Sequence, residues 1–127
     1  MDPDKIIFSA EEAESLGGLC GGDAPFWDPA SDDIIELESR LAEYLRMHTP
    51  TGDRPVRDVF KYGRQYFGVT INGRKLIYLN AFYNPERFAD RWKINIILVQ
   101  DGGSNYFQVY YDPATREFVN LRYNGKA

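Results

Sequence analysis

From Arg64 onward apolar and polar side chains alternate at nearly every other position, the period of a strand with one buried and one wet face. The clearest stretch is Arg64 to Ile71, then Asn72-Gly73, then Arg74 to Phe82. Asn-Gly supplies the two positive-φ residues of a type I′ turn, so the pattern predicts a hairpin with Ile71 opposite Arg74, Val69 opposite Leu76 and Phe67 opposite Tyr78. On its other face Gly68 falls beside Ile77, with Tyr66 and Leu79 next along, and the missing side chain suits a bulge or the close approach of a helix. Trp92 to Gln100 reads as a strand buried on both faces toward its end, which belongs at a sheet centre. Asp101-Gly102-Gly103-Ser104 turns the chain into Tyr106 to Tyr111, and Asp112-Pro113-Ala114-Thr115 turns that into Phe118 to Tyr123. Here Phe107, Val109 and Tyr111 are expected inward with Val119, Leu121 and Tyr123, leaving Tyr106, Gln108, Tyr110, Asn120 and Arg122 on the opposite face.

A period of 3.6 marks the main helix, about Asp32 to Met47, where Ile34, Leu37, Leu41, Tyr44, Leu45 and His48 share one stripe. Ser31 reads as its N-cap, with acids at Asp32, Asp33 and Glu36 near the positive end of the helix dipole and Arg46 and His48 at the negative end. Upstream, Ser9 and Glu12 have capping-box spacing, which predicts a short helix from Ala10 to Leu16 stopped by Gly17-Gly18. Residues 1–30 read as an extension that packs on the core, with Phe26 and Trp27 plugging its edge, and residues 31–127 as a single domain. Thr49 to Pro55 and Asn84 to Arg91 read as connections. The expected fold is α+β: one main helix packed on a curved four-stranded antiparallel sheet, a cystatin-like arrangement, with a short N-terminal helix. A nuclear-transport-factor-like cone is the competitor and needs more helix than the pattern offers.

The 127 residues suffice for one core, and with 43% apolar but 15% aromatic residues that core must be built from few, large side chains. Net charge is −4, but Met1 to Gly63 carries 6 Lys/Arg against 14 Asp/Glu, while Arg64 onward carries 9 against 5. An acidic helical layer facing a mildly basic sheet accounts for this, and no basic footprint for nucleic acid stands out. Cys20 is the single cysteine, so no internal disulfide can form, and its glycine-rich surroundings supply nothing to activate a thiol. No apolar run is long enough to span a bilayer, and the first fifteen residues are acidic where a signal peptide is basic and then apolar. The chain is therefore expected to be soluble, periplasmic or secreted if a signal peptide has been trimmed from it and cytoplasmic otherwise.

Chemistry-bearing patterns are sparse. His48 is the single histidine, at a helix C-terminus where the dipole explains it without a triad. No His/Cys cluster has metal-ligand spacing, and Asp101 to Asn105, whose oxygens could serve a weak calcium site, reads better as a hairpin turn. Asp101 and Asp112 stand about 35 Å apart at strand rise, too far to cooperate as acid and base. The glycine pairs lack the Lys-Ser/Thr of a phosphate loop. The expectation is thus a protein without catalytic residues, metal or cofactor. Tyr106, Gln108, Tyr110, Asn120 and Arg122 form a contact-prone mixture, large rigid rings with polar tips, unless residues 1–30 cover that face. This suits a non-catalytic binding protein of inhibitor or immunity type with a protein partner, acting through that face or the hairpin tips at Asn72-Gly73 and Asp101 to Gly103. The alternative is an enzyme or small-ligand binder with a helix–sheet pocket near Tyr44, Tyr66 and Tyr78. A third reading is a sheet edge that pairs with another copy, giving a monomer or weak dimer.

The run Arg64-Gln65-Tyr66, Ile77 to Phe82, Trp92, Val99 to Gly103, Tyr111-Asp112-Pro113 and Asn124 to Ala127 resembles a loosely defined group of small bacterial proteins, mostly uncharacterised and often exported. In that group cysteines commonly stand where Tyr83 and Gln100 stand here, so this chain lacks the staple. The resemblance implies a cystatin-like or related fold and an envelope location, and it transfers no activity to any residue.

Overall fold

The computed structural model describes residues 4–16, 22–49, 59–98 and 105–124. Their order is β1 (Lys5–Ile7), α1 (Ala10–Ser15), β2 (Asp23–Trp27), α2 (Ser31–His48), β3 (Tyr62–Ile71), β4 (Arg74–Tyr83), β5 (Tyr106–Asp112) and β6 (Glu117–Tyr123). Single 3-10 turns lie at Val59–Lys61, Pro85–Phe88 and Arg91–Lys93. The fold is α+β, a mixed six-stranded sheet with one main helix.

The β3–β4 hairpin has the register that its turn dictates: Ile71 faces Arg74, Val69 faces Leu76 and Phe67 faces Tyr78, across Asn72 and Gly73 at φ 50° and 78°. β5 and β6 extend the sheet antiparallel, so the meander itself has four strands. The sheet has six, because β1 pairs parallel with β3 from Lys5↔Arg64 to Ile7↔Tyr66, and β2 pairs antiparallel with it at Asp23↔Thr70 and Trp27↔Gly68. Two short strands thus cover the outer edge of β3 end to end. β6 closes the opposite edge with β5 as its one strand neighbour among the described residues. Gly68 serves β2 rather than a helix: a Cβ there would collide with the Trp27 carbonyl oxygen.

Over its described part, Trp92 to Leu98, the strand expected to run to Gln100 does not form. Arg91–Lys93 is a 3-10 turn and Ile94 to Leu98 has no strand pairing, while Val99, Gln100 and the Asp101 to Ser104 turn lie outside the described residues, as do Cys20, Gly17-Gly18 and most of the Thr49 to Pro55 connection. Trp92, Ile96 and Ile97 are buried by packing across the sheet, whereas Ile94 and Leu98 are exposed. Trp92 and Ile97 cluster with Phe82 and Tyr106, and Ile96 with Phe67 and Tyr78.

α2 lies on the opposite face. Ile34, Leu37, Leu41 and Leu45 are buried against Tyr62, Tyr66, Leu79, Val109 and Tyr111, each large apolar side chain contributing about 1.5–3 kcal/mol. Tyr44 is half-buried and His48 exposed, so the stripe fades toward its end. Its N-cap is Ala30, without a side-chain bond, and Ser31 is already helical; Asp32 and Asp33 in the first turn supply the favourable charge instead. α1 has its capping box: Glu12 N–H donates to Ser9 Oγ at 3.1 Å and Ser9 N–H to Glu12 Oε1 at 2.8 Å. It packs with Phe8, which stacks on Phe67 at 4.6 Å, on the face away from α2. The sheet is therefore covered on both faces.

β6 contains a bulge. Phe118 lies opposite Tyr111 and Arg122 opposite Gln108, so Asn120 and Leu121 together face Val109, with Asn120 at φ 56°. The extra residue reverses the alternation. Val119, expected inward with Leu121 and Tyr123, instead lies opposite Tyr110 in the cluster on the far face, and Phe118 takes the position against α2.

Candidate functional site

The five residues expected to share a binding face have different fates. Tyr106 is buried among Phe82, Trp92 and Ile97. Gln108 is half-buried, its Nε2 donating to Asn80 Oδ1 at 3.2 Å and Asn124 Oδ1 at 3.4 Å. Tyr110 is half-buried against Tyr78, with ring centroids 5.0 Å apart. Asn120 and Arg122 are exposed near the β6 edge. Much of that face lies under α1 and the segment from Asn84 to Leu98, with Phe26 joining the same cluster and Trp27 packing on the α2 side.

What organises that face is a row of amides. The β3–β4–β5 register aligns Gln65, Asn80 and Gln108. Gln65 Nε2 donates to the carbonyls of Trp92 and Asn95, both at 2.7 Å. Its Oε1 accepts from Ile97 N–H at 3.0 Å and from Asn80 Nδ2 at 2.9 Å, and Asn80 Nδ2 also donates to the Ile97 carbonyl at 2.7 Å. These side chains take the backbone groups that a neighbouring strand would otherwise have paired, which is the physical reason Trp92 to Leu98 crosses the sheet instead of joining it. The signal was available: the hairpin register already places Gln65 against Asn80 within an apolar stretch.

The α2 face has two carboxylate clusters. Glu38 Oε2 accepts from Arg64 Nε at 3.0 Å and Tyr66 Oη at 2.5 Å, while its Oε1 meets Lys5 Nζ at 2.7 Å. Arg64 is fully buried and also donates Nη1 to the carbonyls of Phe60 and Tyr62 at 3.1 and 3.0 Å. Burial, with Glu38 beside it, pushes the Tyr66 phenol well above its ordinary range, against the opposing pull of Arg64. Glu36 Oε1 accepts from Tyr111 Oη at 2.5 Å, and its Oε2 lies 3.4 Å from Arg116 Nε. Burial and the hydrogen bond to Glu36 push the Tyr111 phenol up to about 12. Both clusters tie α2 to the sheet, and the second reaches open space through the exposed Arg116.

Tyr44, Tyr66 and Tyr78 do not line one pocket. Tyr66 is sealed beneath α2, Tyr78 belongs to the far face, and burial raises the pKa of Tyr44, which stays at the rim. The opening there is a groove of about 330 Å³ between α2 and the start of β6, lined by Arg40, Tyr44, Met47, Arg116 and Phe118 with Glu43 and Glu117. Tyr44 stacks on Phe118 at 4.7 Å and on His48 at 4.1 Å. His48 Nδ1 lies 2.8 Å from the Tyr44 carbonyl, a helix-end contact, and no acid among the described residues pairs with the ring. Met47 is 69% exposed on the same rim.

Comparison with protein-family models, with curated proteins and with solved structures finds no match. Among the described residues no three His, Cys, Asp or Glu side chains gather as a metal site, and no helix is long and apolar enough to cross a membrane. Sequence reasoning missed the groove because Arg40, Met47 and Arg116 look like ordinary exposed residues until the bulge turns Phe118 toward Tyr44.

Proposed function

We propose that this chain is a non-catalytic protein-binding domain that receives an extended polypeptide along β6 and the groove beside it. One observation carries the reading: the β3 edge is capped by β1 and β2, whereas from Glu117 to Arg122 β6 has no strand on its outer side among the described residues. An unpaired edge is a template for strand addition, in which main-chain hydrogen bonds supply affinity and adjacent pockets select side chains. The groove supplies such a pocket, with the Tyr44–Phe118 stack and Met47 as apolar contacts and Arg40 and Arg116 at its margin. The helix cradled by a meander keeps the likeness to cystatin-like proteins in this reading, and inhibitor or immunity-type activity would be exercised at this edge. Burial of Tyr106 and the cover over Gln108 and Tyr110 favour the edge over the tyrosine-rich face.

Site-specific photo-crosslinkers at Met47 and Glu117, with controls at Phe60 and Lys93, test this in the native host. Crosslinked products at the first pair and none at the second support edge recognition. Equal products at all four positions, or none at Met47 and Glu117, overturn it.

A further inference from the structure

We infer that the segment received by the β6 edge is β6 of a second copy of this chain, paired antiparallel about a two-fold axis through Val119. The inference rests on the edge reading above and names its occupant. Glu117 and Arg122 are both exposed, and neither makes an ion pair among the described residues. Glu117 lies opposite Asp112 and Arg122 opposite Gln108, positions of even parity on β5, so by register both fall on the face away from α2, with Glu117 at the start of the strand also bordering the groove. Phe118, opposite Tyr111, and Leu121, beside Val109, are on the face toward α2.

The bulge makes the strand self-complementary. A regular strand would place residues five apart on opposite faces, and a two-fold pairing cannot then oppose them. With Asn120 as the additional residue, Glu117, Phe118, Val119, Leu121 and Arg122 occupy five successive places along β5. A two-fold axis normal to the sheet at Val119 then sets Val119 against its own copy, Phe118 against Leu121, and Glu117 against Arg122, twice over. Opposite charges and apolar pairs directly across a ladder each stabilise it, and like charges there destabilise it. The same axis keeps both copies of α2 on one side of a continuous sheet, with the exposed Met47 and the Tyr44–Phe118 rim of each copy beside the junction. Such a contact is smaller than the roughly 1,600 Å² of a standard interface, so the dimer forms reversibly with concentration.

Sedimentation equilibrium of the purified chain from micromolar to millimolar concentration decides it, alongside Glu117→Arg, Arg122→Glu and the double swap. The wild type should dimerise, each single reversal should weaken the dimer about tenfold by opposing like charges, and the swap should recover it. Circular dichroism confirms that these exposed substitutions leave the fold intact. A wild type that stays monomeric at millimolar concentration, single reversals that dimerise as well as the wild type, or a swap that fails to recover would each overturn the self-pairing. The crosslinks at Met47 and Glu117 separate this from failure of the edge reading: a product of twice the chain mass supports the dimer, a product with a different chain overturns it while the open edge stands, and no product removes both.

Discussion

Against α2 the sheet presents Tyr62, Tyr66, Leu79 and Val109 to a helical stripe of leucines, whereas across the same strands the other face carries the amide row Gln65, Asn80 and Gln108. The first contact is made of area, which is non-directional and lets a helix settle wherever its stripe buries best. The second is made of paired donors and acceptors, which hold one stretch of backbone in one place and penalise any other. The difference teaches that the two attachments are specified differently: burial of its leucine stripe holds α2, whereas on the other face, where apolar side chains also pack, the amides decide where an irregular segment lies.

The largest expected effect tests the burial side. Leu41→Ala removes a fully buried side chain from the centre of the stripe and should cost about 2–5 kcal/mol, read as a lower urea midpoint at unchanged slope. A loss below that range would mean that the helix face carries less of the fold than its packing indicates.

The placement side should respond differently. Gln65→Ala orphans the Ile97 N–H and the carbonyls of Trp92 and Asn95, at about 1–3 kcal/mol for each group left dry, less where water enters. Hydrogen exchange should quicken from Trp92 to Ile97 while β3 and β4 keep their protection. Uniform acceleration across the sheet would erase the division between the faces.

Titration sharpens it further. The Tyr111 phenol is pushed up to about 12 in the folded chain, from an ordinary value of 10.0. Its contribution is fully present below pH 10, where neither state ionises, and is lost as pH rises toward 12, because the unfolded phenol releases its proton first. Tyr111→Phe should therefore flatten the alkaline fall of stability over that window, and a curve that keeps its slope would dissociate Tyr111 from the α2 contact. The smallest effect belongs to the β5–β6 turn. Burial opposes ionisation of Asp112, but the Arg74 hydrogen bond at 2.6 Å and the N–H groups of Ala114 and Thr115 outweigh it, so its carboxyl lies below the ordinary range. That contribution is present above pH 3.8 and is lost as pH falls through the lower folded value. Arg74→Ala should weaken the acid dependence slightly in an acid-unfolding series.

Much of this fold was legible where a local rule acts alone. Asn72-Gly73 sets the hairpin register, Ser9 and Glu12 announce α1, and the leucine spacing of α2 identifies its buried side. The rest depends on partners distant in the chain. Lys5 to Ile7 and Asp23 to Trp27 are too short, and in β2 too interrupted by Pro25, to show a strand period; they are strands because β3 has an edge to fill. Trp92 to Leu98 has strand composition and lost that fate to Gln65 and Asn80. Of the candidate binding residues, Asn120 and Arg122 are exposed as expected, but Tyr106 is buried by that misread segment and Val119 is displaced by a bulge at Asn120, whose left-handed backbone suits asparagine but whose place only the pairing with β5 decides.

The split cover of the β3 edge has a consequence for synthesis. Both covering strands leave the ribosome before the strand that they will flank, and β3 is itself completed only when β4 can turn back on it. Ile6, Ile7, Phe8, Phe26 and Trp27 therefore emerge as apolar segments with no template to bind, and the nascent chain must carry them until the hairpin exists.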